Sequence, residues 1–63
     1  MTAHIYLVEL HTDAGHEWRF RFDDDGIFGM HEVVCDYVAD GDLTLEQALF
    51  ILRGAWSVWS ARQ

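Results

Sequence analysis

The spacing of apolar residues changes after residues 23–26, and this change limits the folds that the chain can adopt. In residues 16–23 apolar and charged side chains alternate, which is the two-residue period of a half-buried β-strand. Residues 3–10, rich in Ile, Tyr, Leu and Val, predict an earlier strand, and residues 12–15 supply the turn of a hairpin. Both faces of the first strand are apolar, which indicates a strand that is covered on both sides or paired again across an interface.

The segment after the acidic turn has helical spacing. Five of its apolar residues fall on one face of a helix: Met30, Val33, Val34, Tyr37 and Val38. Gly41 is placed to end this helix. Because β-branched valines favour strands, a third strand over residues 27–39 is the alternative.

The last part of the chain predicts a second helix with a defined start. Thr44 is placed as the N-cap, and Gln47 three residues later completes a capping box. The apolar residues at helical spacing that we expect to line its core face are Leu45, Ala48, Leu49, Leu52, Ala55, Trp56 and Trp59. The sequence therefore predicts an α+β fold, a single compact domain over residues 1–63 in which an N-terminal β-hairpin is followed by two helices packed on one face (ββαα).

The length and the cysteine content restrict how such a domain is stabilised. A chain of 63 residues buries only about 60% of its unfolded surface, and Cys35 has no second cysteine with which to form a disulfide. A lone thiol fits a reducing cytosol and the first residues lack the basic region of a signal peptide, so we expect a cytoplasmic protein. The hydrophobic fraction of 51% exceeds what a small core can hold, so we expect some apolar side chains in an interface.

The charge of the chain is one-sided. Eleven acidic residues face four basic residues, all of them Arg, and the net charge is −7. Such a charge repels nucleic acid and anionic membranes and attracts basic proteins. The longest apolar run, residues 48–52, is too short to span a bilayer. We therefore expect a basic protein or complex as the partner, with no direct nucleic-acid binding and no membrane contact.

Eight of the acids lie between Asp23 and Glu46, in a segment without Lys or Arg. Glu32, Asp36 and Asp40 follow one another at four-residue intervals, so on a helix they would form a row with about 6 Å between neighbours. One interpretation is a solvated helix face. The other is a surface that resembles the repeated negative charges of a nucleic-acid backbone and competes for the basic groove of a nucleic-acid-binding protein. The lack of interleaved bases favours the second interpretation.

One aromatic residue of the second helix falls outside the predicted core face. Phe50 lies with Glu46, Arg53 and Ser57 on the opposite side. It either packs under the hairpin or contacts a partner, since aromatic residues and Arg are enriched in interfaces. The candidate partner-binding residues are this aromatic and seven of the acids: Asp23, Asp24, Asp25, Glu32, Asp36, Asp40, Asp42 and Phe50.

No catalytic, metal or cofactor motif is complete. Residues 21–32 partly match a calcium-binding loop, but Arg21 occupies the position of the first acidic ligand. His31 and Cys35 are only two of the about four ligands that zinc requires, and the acidic surroundings disfavour a reactive thiolate. We therefore expect Cys35 to be a buried thiol, and we expect no catalytic residue, no metal, no cofactor and no enzymatic activity.

In size, acidic charge, αβ content and lack of an enzyme motif, the chain resembles the anti-CRISPR proteins, which are small inhibitors encoded by phages. Several of these imitate DNA and occupy the DNA-binding channel of a CRISPR effector. The resemblance implies an inhibitor of a type I surveillance complex that acts in the host cell cytoplasm. Since the anti-CRISPR families share no common motif, the resemblance assigns no role to any particular residue.

Two functions fit these features best. The first is an inhibitor whose acidic, DNA-mimicking surface occupies the DNA-binding site of a nucleic-acid-binding complex, with aromatic contacts holding the two together. Such an inhibitor would be a monomer or a weak homodimer. The alternative is a small structural or assembly protein that homo-oligomerises through its strands or its C-terminal helix. A metal-dependent module is a third and more distant alternative.

Overall fold

Two strands and two helices follow one another in the computed structural model, which describes residues 4–63. The elements in chain order are β1 (Tyr6–His11), β2 (Glu17–Phe22), α1 (Ile27–Ala39) and α2 (Leu45–Ser60). The predicted ββαα order is confirmed. Because residues 27–39 are helical, the alternative of a third strand is wrong. The predicted start of the first strand at Ala3 lies outside the described residues.

The two strands form an antiparallel hairpin whose inner face is aromatic. The cross-strand pairs on this face are Tyr6 with Phe22, Val8 with Phe20, and Leu10 with Trp18. At the turn, the Thr12 amide donates to the His16 carbonyl over 2.9 Å, and Gly15 adopts a left-handed φ of 85°. A glycine is suited to that backbone conformation because it has no Cβ. The alternation in residues 16–23 therefore predicts correctly both the strand β2 and the face of it that is buried.

The described residues cover only one face of the hairpin. Both helices pack on the inner face, α2 against β1 and α1 against β2. On the outer face, Ile5 and Leu7 remain 56% and 45% exposed. The prediction that β1 is covered on both sides is therefore wrong as far as residues 4–63 are concerned, and its pairing across an interface stays a prediction.

Helix α1 ends in a Schellman motif. The amide of Gly41, at a φ of 83°, donates to the Val38 carbonyl over 3.1 Å, and the Asp42 amide donates to the Tyr37 carbonyl over 2.9 Å. These bonds satisfy carbonyls that would otherwise lack partners at the helix end. The placement of Gly41 at the helix end, predicted from the sequence, is confirmed.

Helix α2 begins with the predicted capping box. The Gln47 amide donates to the Thr44 hydroxyl over 3.1 Å, and the Thr44 amide donates to the Gln47 side-chain oxygen over 3.0 Å. Two helix-terminal donors are thereby satisfied, and the start of α2 is fixed after a short connection from α1.

The core lies between the hairpin and the two helices. Most of the predicted core face of α2 enters it: Ala48 and Ala55 are buried, and Leu52, Trp56 and Trp59 pack against it. The buried residues of α2 are Ala48, Ile51 and Ala55, whereas Leu45 and Leu49 are 67% and 43% exposed. Two of the three buried residues are alanines, which take little space between α2 and β1. A Cβ added at the neighbouring Gly54 would lie 3.5 Å from the Val8 side chain, an ordinary contact distance.

The C-terminal end of α2 is joined to the acidic turn before α1. The Trp59 indole N–H donates to the Asp24 carbonyl over 3.0 Å, and the Gln63 side chain donates to the Asp24 carboxylate over 3.4 Å. Trp59 also packs edge-on against Trp56, which in turn contacts Phe28 of α1.

Within residues 4–63, no helix is both long and apolar enough to cross a membrane.

Candidate functional site: the acidic surface of α1

The row of acids expected on the first helix is present on the solvent-facing side of α1. Glu32, Asp36 and Asp40, which we call the acidic row, are all exposed. At 100° per residue they lie opposite the buried side chains of Ile27 and Val34. The helix thus has one apolar side directed to the core and one side that carries repeated negative charge.

Further acids lie beyond both ends of the acidic row. Asp25 precedes the helix and is exposed, and Asp42 follows it and is also exposed. The 13 residues of α1 span about 20 Å, so the negative charge extends over at least that length. Asp23 is half-buried, and its carbonyl accepts the Gly26 amide over 3.1 Å in the turn that begins the helix. Asp25 and Asp42 therefore extend the charged surface, whereas Asp23 contributes mainly to the turn.

The charges of the acidic row are not neutralised within the described chain. The arginines lie on other elements, Arg19 and Arg21 on β2 and Arg53 and Arg62 on or beyond α2. The ion pairs found among residues 4–63 all lie on the hairpin, where side chains of His11 and Arg19 approach carboxylates within 3.5 Å. None of them involves an acid between positions 23 and 46. The surface consequently presents its full negative charge to solvent.

Asp24 differs from the other acids because it holds the fold together. Its carboxylate accepts hydrogen bonds from the Tyr6 hydroxyl over 2.5 Å and from the Gln63 side chain, and its backbone carbonyl accepts one from the Trp59 indole. Burial, together with the hydrogen bond to Asp24, raises the pKa of Tyr6 above its ordinary value. Of the candidate partner-binding residues, Asp24 is thus the one whose carboxylate has an evident structural role.

The structure does not bring Phe50 together with the acidic row. Phe50 is 61% exposed on α2, where it borders an open groove between that helix and β1. The groove is also lined by Leu7, Leu49 and Arg53, and by none of the acids of α1. The candidate residues therefore belong to two surfaces, one acidic and one mainly apolar.

Sequence reasoning missed part of the apolar surface. Leu49 was expected in the core because its spacing fits the apolar stripe of α2, yet it lies beside Phe50 in the groove. The exposure of Leu7 had a signal in the sequence, namely that β1 is apolar on both faces. The exposure of Leu49 had no such signal in the sequence, because it depends on how α2 is rotated where it packs on β1.

The side chains that suggested metal or thiol chemistry form no complete site. The Cys35 sulfur lies 3.7 Å from the His31 Nδ1, so these two residues share a helix face as their spacing predicts. Cys35 is exposed, and the prediction of a buried thiol is wrong because position 35 lies outside the buried stripe of α1. Among residues 4–63, no group of three or more His, Cys, Asp or Glu side chains is arranged to hold a metal ion.

Comparisons with protein-family models, with curated proteins and with solved structures gave no match for this chain. The geometry and charge of its own residues are therefore the basis for a functional proposal.

Proposed function

We propose that this protein is an inhibitor that uses the acidic surface of α1 to occupy the nucleic-acid-binding site of a basic protein complex. The observation that carries the proposal is the acidic row, whose three exposed carboxylates have no ion-pair partner in the described chain. A helix surface selected only for stability would mix charges of both signs, because opposite charges four residues apart stabilise a helix.

The chemistry of such a surface suits a site that normally binds DNA or RNA. A nucleic-acid-binding groove presents Lys and Arg to a line of phosphates, and carboxylates at regular intervals along a helix offer similar ion-pair partners. With a net charge of −7, the protein is drawn towards a positive groove over a distance of about 8 Å at physiological ionic strength. Binding should therefore weaken steeply as salt is added, as it does for the nucleic acid.

The more specific form of the proposal names a type I CRISPR effector as the complex that is inhibited. Its support is the resemblance in size, charge and αβ content to the anti-CRISPR proteins. The test is duplex-DNA binding by a purified type I surveillance complex, measured with and without the protein. Inhibition that added DNA overcomes is the expected result, and undisturbed DNA binding at saturating protein would exclude this form of the proposal.

A matched pair of variants tests the role of the acidic row itself. The variant E32Q/D36N/D40N removes three charges from α1, and E9Q/D13N/E17Q removes three charges from the hairpin. Both change the net charge from −7 to −4, because three residues of charge −1 become neutral. We expect the first variant to lose inhibition and the second to retain most of it. Equal loss in both would show that net charge alone, and not this surface, determines binding.

A second candidate function is self-assembly, and one observation favours it. Leu7, Leu49 and Phe50 are exposed and line the same groove between β1 and α2. Exposed apolar side chains that adjoin one another are typical of protein–protein contacts. An assembly protein would associate with copies of itself, and this association should depend little on salt. Binding of a basic partner by the acidic surface should depend on salt strongly.

A further inference from the structure

The outward side of α2 carries four residues whose spacing is symmetric about its middle and whose two ends have opposite charges. Counted along the helix, an acid, two adjacent apolar residues and a base occupy positions 46, 49, 50 and 53. These four residues, which we call the α2 outer face, are Glu46, Leu49, Phe50 and Arg53. All four are exposed, and all four line the groove beside β1.

The helical geometry puts these residues on one strip of α2. At 100° per residue, Glu46 and Arg53 lie within about 20° of each other, with Leu49 and Phe50 on either side of the line between them. The strip lies opposite the buried Ile51, so it faces away from the core. At 1.5 Å per residue, the two charged residues are about 10 Å apart along the axis, too far to pair within the helix.

The two charges of this strip have no ion-pair partner in the part of the chain that the structure describes. No ion pair among residues 4–63 involves Glu46 or Arg53. The apolar pair between them is equally uncovered, with Phe50 at 61% exposure.

We infer that the partner of the α2 outer face is a second copy of this chain, with the two α2 helices antiparallel about a twofold axis between positions 49 and 50. In this arrangement, each residue on one side of the axis faces the residue that lies equally far beyond the axis on the second copy. Glu46 therefore faces Arg53 of the second copy, and Leu49 faces its Phe50. A twofold interface uses the same patch on both copies, and this patch is self-complementary in charge and in apolar contact. A parallel pair would instead place Glu46 against Glu46.

Neighbouring residues are compatible with such an interface. Ser57, one turn beyond Arg53, has a small side chain that permits a close helix approach, and Leu7 of β1 adds an apolar side chain at the border of the groove. The inference gives a geometry to the second candidate function. It holds whether or not the acidic row binds a partner, because the acidic row lies on α1.

The first test is the self-association of two charge-reversal variants, measured by sedimentation equilibrium. E46R changes the net charge from −7 to −5, and R53E changes it from −7 to −9, since each reverses one charge. Reduced net repulsion alone would make E46R associate more strongly. The inference predicts the opposite: both variants should dimerise about tenfold or more weakly than the natural chain, because like charges then face each other across the axis.

The control variant is E32R, which also has a net charge of −5 but changes only the acidic row. It should retain the dimer. F50A should weaken the dimer about tenfold by removing the largest apolar contact of the interface. All four substitutions are at exposed positions, and circular dichroism should show the same helix content in each.

The decisive test mixes the two weakened variants. In a mixed dimer of E46R and R53E, both facing positions carry opposite charges, and the total charge equals that of two natural chains. The mixture should therefore form a heterodimer about tenfold tighter than either variant forms with itself. A natural chain that is monomeric at about 1 mM would overturn the inference, as would a mixture no tighter than its components. A dimer that persists in E46R and R53E alike would also overturn it, because it would show that a different surface associates.

Discussion

Neutralising the acidic row should make the protein more stable, even though it removes the proposed binding surface. In E32Q/D36N/D40N, each replacement keeps the size of the side chain and removes only its charge. Two like-charged pairs disappear, Glu32 with Asp36 and Asp36 with Asp40. Asp40, which is the C-cap of α1, also loses an unfavourable interaction with the negative end of the helix dipole.

The size of the gain follows from these contacts. Each like-charged pair at four-residue spacing costs about 0.2–0.5 kcal/mol, and a carboxylate at a helix C-terminus costs about 0.3–1 kcal/mol. The three carboxylates together should therefore lower the free energy of unfolding by about 1 kcal/mol at low ionic strength. For a domain of this length, removing that cost should raise the Tm by about 4–8 °C.

Thermal unfolding followed by circular dichroism measures this effect, and the hairpin variant is the control. The variant E9Q/D13N/E17Q removes the carboxylates of Glu9 and Glu17, which contact His11 or Arg19 in the natural chain. Because favourable contacts are lost with these charges, we expect no gain in Tm. At 1 M salt, where charges are screened beyond about 3 Å, the difference between the row variant and the natural chain should shrink. An unchanged or lower Tm in the row variant, or an equal gain in the hairpin variant, would refute the account of these charges.

Three further predictions concern the core, the helix start and the buried tyrosine. Ile51→Ala removes a fully buried side chain and should cost about 2–5 kcal/mol, enough to unfold much of so small a domain, which urea titration would show. Thr44→Ala breaks the capping box and should cost about 1 kcal/mol, measured in the same way, whereas Thr44→Ser should cost little. Burial and Asp24 raise the pKa of Tyr6 above 10.0, so the folded protein binds the phenolic proton more tightly than the unfolded chain does. The contribution of Tyr6 to the free energy of unfolding should be fully present below pH 10.0 and should be lost as the pH rises through the folded pKa. Tyrosinate absorbance in a Tyr37→Phe background should show ionisation later in the folded than in the urea-unfolded protein, and coincident titrations would contradict this.

The local signals of the sequence predict the fold well because they depend on neighbouring residues. The alternation in residues 16–23 gives β2, and the pair of Thr44 and Gln47 gives the start of α2. Gly41 gives the end of α1, since a left-handed backbone there suits glycine. Each of these features is decided within a few positions of the chain.

The rotation of α2 could not be predicted in the same way. Leu45 and Leu49 fit the helical spacing of the core face as well as Leu52 does, yet they are exposed whereas Leu52 packs against the core. The rotation of α2 is a matter of its packing on β1, where Gly54 lies beside Val8, and these two residues are distant in the sequence. The same rotation exposes Leu49 and Phe50, so the apolar surface of the protein depends on a tertiary contact, whereas the acidic row follows from helical spacing alone.

The measurement that most directly tests the acidic surface as a mimic of nucleic acid is capture of partners from a bacterial lysate with three baits. The baits are the natural chain, E32Q/D36N/D40N and E9Q/D13N/E17Q, with bound proteins identified by mass spectrometry. We expect the natural chain and the hairpin variant to retain the same nucleic-acid-binding complex and duplex DNA to release it, and we expect the row variant not to retain it. Retention of the same complex by the row variant, or a complex that DNA does not displace, would contradict the account.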